Sequence, residues 1–413
     1  MGSGKIALVN IAVKDHALTR IIVLAVLLLV GCSQPPALSQ TPSAVTPTSI
    51  VTISSNDEIE TRIQAVERGY IDDFPTRMKY YQVPGVSIAV INHGVIEWAR
   101  GYGVVDTNTT QSITEDTLFQ AASISKPLVA MATLYYVQTG VLNLDEDVNH
   151  KLLSWKVPDN EYTRDSKVIL RGLLSHSAGL TVHGFAGYTD KEEIPTLLQI
   201  LDGEPPANSD PIRVFVAPGT LWQYSGGGYV VAQQLLEDVT DKPFPEIMRD
   251  TVLQKLEMGK STFAQPLPPS LSQLAAVGHT SNSEIVNGKW HIYPEIAAAG
   301  LWTTPSDLAR FVIEIQQSVS GKSNRILSKE IAEQMVTRQF GEWGLGLQVG
   351  GSGDDAWFAH GGANEGFRCY MFGFIKNGQG AVVMTNSDNG YELALEIIRT
   401  ISLVYEWPST PQR

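Results

Sequence analysis

The strongest constraint on the fold is that the strand-like hairpins stand at opposite ends of the chain. Residues 86–91 and 95–99 are Val- and Ile-rich runs around Asn92-His93-Gly94, a hairpin pattern. Residues 367–375 and 381–385 repeat it around Asn377-Gly378. A lone two-stranded hairpin is marginal in water, so the two are expected to join one antiparallel sheet. Residues 57–81 carry Ile59, Ile63, Val66, Tyr70 and Phe74 near a 3.6-residue spacing, which predicts a helix. Residues 391–405 predict a closing helix, and 125–330 read as mainly helical with long loops. The fold class expected is α/β (α+β). An antiparallel sheet built from both chain ends is flanked by the terminal helices, and the helical region is inserted between. Such an arrangement cannot be cut in sequence, so residues 57–407 form one domain, with 408–413 as a tail.

Ahead of that domain, Lys5, Lys14 and Arg20 precede ten apolar residues, Ile21 to Val30. A bilayer span takes about 20; a basic flank with a short apolar core reads as a secretory signal. The run ends in Leu29-Val30-Gly31-Cys32, a match to the bacterial lipobox, where cleavage before the Cys exposes it for acylation. Residues 1–31 are therefore expected to be a lipoprotein signal peptide and Cys32 the lipidated residue. The Pro-, Ser- and Thr-rich stretch that follows, to residue 56, reads as a flexible tether. Export to the cell envelope follows, and Ser33 fits outer-membrane sorting in a two-membrane bacterium. With Cys32 spent on lipid, Cys369 reads as a small buried strand residue. A net charge of -13 disfavours nucleic acid as a partner.

The chemistry concentrates first at Phe119-Gln120-Ala121-Ala122-Ser123-Ile124-Ser125-Lys126-Pro127, followed by the Ala-, Leu- and Met-rich stretch to Gln138. This predicts a helix starting near Ser123, with Pro127 tolerated in its first turn. Residues three apart share a helix face, so Lys126 lies beside Ser123. A Ser hydroxyl needs a base to attack, and a desolvated Lys can lose its proton and become one. The amide of Ser123 at the helix start can bind a developing oxyanion.

Three further segments stand out. Tyr224 precedes Ser225-Gly226-Gly227-Gly228. Ala299-Gly300-Leu301-Trp302 leads into Thr304-Pro305-Ser306-Asp307, a strong helix start. His360-Gly361-Gly362-Ala363-Asn364 stands immediately before a predicted strand, its glycines letting a ligand approach the backbone. Other features read as plain structure. His176 and His183 read first as hydrogen-bonded loop histidines, with lining of a cleft as the alternative; Trp222, Trp302 and Trp343 read first as core packing, with bordering of the pocket as the alternative; and Asp145-Glu146-Asp147 reads as a solvated turn. Gly259-Lys260-Ser261 lacks the Gly at position 254 of a phosphate loop. No Gly-x-Ser-x-Gly elbow occurs, and no metal-type histidine spacing. No cofactor and no metal are expected.

Taken in order, Ser123-x-x-Lys126, Tyr224 and His360-Gly361-Gly362 resemble the class C β-lactamase-like serine hydrolases, the group of penicillin-binding D,D-peptidases, D-aminopeptidases, class C β-lactamases and related esterases. Leu173-Leu174-Ser175-His176-Ser177-Ala178-Gly179-Leu180 is similar to another family signature, and the resemblance spans about residues 57–405. It implies that Ser123 is the acylated nucleophile, Lys126 its partner and Tyr224 the proton shuttle. It implies too that the amides of Ser123 and Ala363 form the oxyanion hole, with His360, Gly361 and Gly362 along the substrate. Two positions depart from the pattern. Gly226 stands where many relatives carry an Asn that holds the acyl-amide. His360 replaces a Lys and so weakens the anchoring of a substrate carboxylate at neutral pH. The expected activity is cleavage of an amide or ester bond, in a small peptide, amide or ester, through an acyl-enzyme on Ser123. A class C-type β-lactamase and a non-catalytic penicillin-binding-like protein are the alternatives. The oligomeric state is not encoded in any of these motifs.

Overall fold

The computed structural model describes residues 55–69 and 71–409. The signal segment, Cys32 and most of the tether lie outside them. The chain starts with α1 (Asn56–Arg68), whose Ser55 and Glu58 cap one another's amides as a capping box. One helix was expected over 57–81; there are two. Gly69 ends the first at φ 69°, and a Cβ there would stand 2.0 Å from the Asp72 carbonyl oxygen, so the helical spacing continues through a break only Gly accepts. Asp73 then caps α2 (Phe74–Tyr81).

The strands follow as β1 (Gly85–Asn92), β2 (Val95–Gly103) and the two-residue β3 (Phe119–Gln120). Next come α3 (Ser125–Gln138) and α4 (Gly226–Thr240), then β4 (Trp302–Thr303) and α5 (Pro305–Val319). The chain closes with β5 (Gln348–Gly350), β6 (Trp357–Asn364), β7 (Phe367–Phe374), β8 (Gly380–Thr385) and α6 (Gly390–Val404). Six strands form an antiparallel sheet in the order β2-β1-β8-β7-β6-β5, while β3 and β4 pair separately. The two chain ends meet where β1 pairs with β8, Val86 opposite Thr385 through Ile91 opposite Gly380.

Alternation along β1 decides what covers each face. Val86, Ile88 and Val90 pack in the core of α1, α2 and α6. Ala89 and Ile91 pack in the larger core, with Phe311, Val312 and Ile315 of α5 and with the inserted helices. Covered on both faces, β1 is buried along its whole length. Burial of each such Val or Ile contributes about 1.5–3 kcal/mol. A bidentate pair ties α2 to α6, Arg77 donating to both oxygens of Glu396 at 2.7 and 2.6 Å. Sequence patterning thus accounts for the sheet, and the insert leaves from its N-terminal half to carry the functional motifs.

Candidate active site

Ser123 sits in a 3-10 turn (Ala122–Ile124) that runs straight into α3. Ala122, just before it, adopts φ 50°, a left-handed conformation that costs a residue with a Cβ. The turn is held by Ala121 N donating to Leu301 O at 2.9 Å, and by Ser125, whose Oγ donates to Ala122 O at 2.6 Å and accepts from Leu301 N at 3.0 Å. Lys126 is 2% exposed. Its Nζ donates to Ser123 Oγ at 3.1 Å and to Ala298 O at 2.8 Å. It also lies 5.0 and 5.7 Å from the ring centres of Tyr224 and Tyr229. Burial lowers its pKa to about 7, so an amine free to take a proton exists at neutral pH.

Tyr224 closes the other side. Ser225 caps α4, its Oγ accepting from Gly228 N at 3.0 Å, which fixes the preceding residue. Burial raises the pKa of the Tyr224 hydroxyl, outweighing the opposing influence of the nearby Ser123, so it stays protonated at neutral pH. His176 grips this segment at three points. Its carbonyl accepts from Gln223 N at 2.8 Å and its Nδ1 from Ser225 N at 3.2 Å. Its ring lies 4.2 Å from that of Tyr224 at 31°. Because Nδ1 accepts a backbone N–H, the neutral ring carries its proton on Nε2. His176→Phe keeps a ring but removes the acceptor; His176→Asn keeps an acceptor but removes the ring. Both are expected to lower kcat by about tenfold or more while leaving the far-UV spectrum intact, and unchanged kcat in both would show that the grip is merely structural.

The His360-Gly361-Gly362-Ala363-Asn364 segment stands ahead of strand β7 as expected, but it is itself part of a strand, β6, paired in full with β7. Glycine at 362 explains how it reaches the nucleophile: a Cβ there would stand 2.2 Å from Ala121 O, so only Gly lets β6 lie against the Ser123 turn. Asn364 ties the strand down, donating to Gln120 Oε1 at 2.8 Å and Ala299 O at 3.1 Å. Ala363, the expected second oxyanion donor, is exposed at this end of β6. Gly361 presents its Cβ position to Tyr391, on the other side of the strand. His360 is 4% exposed, and its Nδ1 must donate to Gly361 O at 2.6 Å because a carbonyl only accepts. Burial, then the charge on Lys126, pushes its pKa down to about 3. His360 is therefore neutral across the physiological range, a weaker anchor for a carboxylate than an unperturbed His. Gly226 opens α4, and a Cβ on it would stand 2.9 Å from Phe185 Cε2. The side-chain position that many relatives fill with Asn is occupied here by the Phe185 ring.

The structure thus gathers Ser123, Lys126, Tyr224, His360, Gly362 and Gly226 around one centre from three separated segments. It adds residues that patterning treated as background. Trp302 is fully buried core, as expected. Trp222 and Trp343 are not core: Trp222 is 37% exposed, and the two rings lie 5.5 Å apart, with Trp343 5.9 Å from Tyr224 and 5.5 Å from His360. His183 sits 4.9 Å from Tyr224. Cys369 is buried, as expected, and its thiol is pushed up to about 12. Asp145 is a surface residue paired with Arg171. No cluster of potential metal ligands occurs among the described residues. A cavity of about 570 Å³ lined by Glu342, Trp357 and Tyr391 lies elsewhere and includes none of the residues gathered around Ser123.

A nucleophile-ready hydroxyl, a buried amine and a tyrosine held over both define a serine hydrolase site. The beta-lactamase family model matches residues 71–406, and the chain belongs to that family of serine hydrolases. Over 203 residues, 47% of this chain and 51% of the relative, it is 30% identical to esterase EstB of Burkholderia gladioli. Over 338 residues, 78% of this chain and 85% of the relative, it is 24% identical to penicillin-binding protein 4 of Amycolatopsis lactamdurans. An unguisins hydrolase of Aspergillus campestris is 27% identical over 221 residues, which make up 50% of this chain and 38% of that enzyme. The chain spans roughly half the length of the curated relatives it matches first. Among solved structures, the D-amino acid amidase of Ochrobactrum anthropi SV3 superposes with a TM-score of 0.66 at 21% identity, covering 84% of this chain and 99% of the amidase. The octameric penicillin-binding protein homologue from Pyrococcus abyssi gives 0.68 at 22% identity, covering 85% and 77%. At these identities the likeness is one of fold.

Proposed function

We propose that the protein is an exported, lipid-anchored hydrolase that cleaves an ester or amide bond through an acyl-enzyme on Ser123. The observation that carries this is Lys126, buried without a carboxylate partner, with its Nζ 3.1 Å from Ser123 Oγ. The neutral amine takes the hydroxyl proton as Ser123 Oγ adds to the carbonyl carbon. The amides of Ser123 and Ala363 hold the tetrahedral oxyanion. Tyr224 passes the proton on to the leaving oxygen or nitrogen as the C–O or C–N bond breaks. Water then adds to the acyl-enzyme, giving one proton back to the site, and the acid leaves with Ser123 restored. A relative named esterase supports the ester, and the D-amino acid amidase that shares the fold supports the amide. The lipobox at Leu29-Val30-Gly31-Cys32 supports anchoring at the cell envelope.

The test is intact-protein mass spectrometry after treatment with a fluorophosphonate, run beside palmitate labelling in a bacterial host. One adduct is expected on the wild type and none on Ser123→Ala, and palmitate should be lost in Cys32→Ser. An adduct persisting in Ser123→Ala would overturn the nucleophile, and palmitate persisting in Cys32→Ser the anchor. The β-lactamase alternative has less support, because His360 is uncharged and Gly226 offers no amide; turnover of a cephalosporin at about 10 per second or more, the median for enzymes at large, would restore it.

A further inference from the structure

We propose that the site selects uncharged esters or amides with an apolar acyl group and rejects substrates whose leaving group carries a carboxylate. This rests on the acyl-enzyme reading above and names its substrate class.

The wall around Tyr224 is aromatic. Phe185 stands over Gly226, and Trp222 and Trp343 lie with ring centres 5.5 Å apart on the Tyr224 side of Ser123. Trp222 is 37% exposed, so a large apolar ring is left in water beside His176 and Trp343. Apolar surface gathered at a site with a few convergent polar groups marks the ground on which an apolar substrate part is held. The Gly226–Phe185 pairing acts in the same direction. It replaces the hydrogen-bonding side chain that would grip a peptide's amide with a ring edge that can only be packed against.

Charge points the same way. Among the described residues, the titratable groups around Ser123 are Lys126, Tyr224, Tyr229, His176, His183 and His360. Lys126 is the sole amine or guanidinium among them, and it must be uncharged to act as base. Arg368, opposite Ala363 in the β6–β7 ladder, is already committed: its Nη1 lies 2.8 Å from Asp388 Oδ1, 2.6 Å from Asn364 O and 2.8 Å from Phe367 O. A carboxylate entering this space would leave its water with no cation to receive it.

Three esters decide the matter in the wild-type protein: the acetate and the phenylacetate of methyl 4-hydroxybenzoate, and the phenylacetate of 4-hydroxybenzoate itself. The neutral phenylacetate is expected to exceed the acetate in kcat/KM by about tenfold. The carboxylate-bearing ester should fall about a hundredfold below its neutral counterpart. Phe185→Ala and Trp343→Ala should each lower the neutral phenylacetate about tenfold and the acetate by much less. Equal or faster turnover of the carboxylate ester, with fluorophosphonate labelling of Ser123 intact, overturns this inference and leaves the hydrolase reading standing. Failure of all three esters together with failure of labelling overturns both.

Discussion

Lys126→Met is expected to cut kcat/KM toward an activated ester by about 10³-fold or more and at the same time to stabilise the protein. The two effects have one cause. The ammonium is buried with only a hydroxyl and a carbonyl as partners, and desolvation lowers its pKa from 10.5 to about 7. Between pH 7 and 10.5 the unfolded chain holds a proton on this side chain that the native state lacks. Stability from this group is thus complete above pH 10.5 and is lost as pH falls through 7. Each pK unit corresponds to about 1.4 kcal/mol, so Lys126 costs the native state on the order of a few kcal/mol at pH 6, and Met does not. In the wild type, kcat/KM should climb with pH through about 7 and then level off, as the neutral amine accumulates. A rate flat from pH 5 to 9, or a Met variant no more stable than the wild type at pH 6, contradicts this account of the base.

Glu295→Gln should show the opposite dependence on pH. Glu295 stands just ahead of the short turn 296–299 that supplies the Ala298 carbonyl to Lys126. It is fully buried, neither carboxylate oxygen has a partner, and burial raises its pKa to about 8. The native state keeps a proton that the unfolded chain releases above about 4.5. The contribution is therefore whole below pH 4.5 and is lost as pH rises to 8. Gln is neutral at every pH, so the variant should gain on the order of a few kcal/mol over the wild type at pH 8.5 and little at pH 4.5. Urea denaturation at the two pH values checks it. An equal difference at both would mean that the carboxyl is not held neutral.

Much of this site was legible because its chemistry is local. Ser123 and Lys126 share one helical turn, Thr304 caps α5 by accepting from Asp307 N as expected, and the hairpins at both ends of the chain do form one sheet. What escaped depends on contacts between distant segments. His176 and Trp343 look like loop and core residues until the fold stacks them at Tyr224. Phe185 carries no motif; it matters because residue 226 lacks a side chain. The break at Gly69 was hidden because apolar residues keep a helical spacing across it, and the strand at 357–364 because His360, Gly361 and Gly362 are poor strand formers held there by β7.

The pairing of β1 with β8 also sets a clock on the enzyme's appearance. As the chain is made from its N-terminus, the Ser123 turn emerges early, yet the strand that would complete its oxyanion site does not. β1 itself lacks its inner neighbour until residues 380–385 follow. Partial chains therefore carry an unarmed serine. The hydrolase gains its activity only once nearly all of the polypeptide has been made.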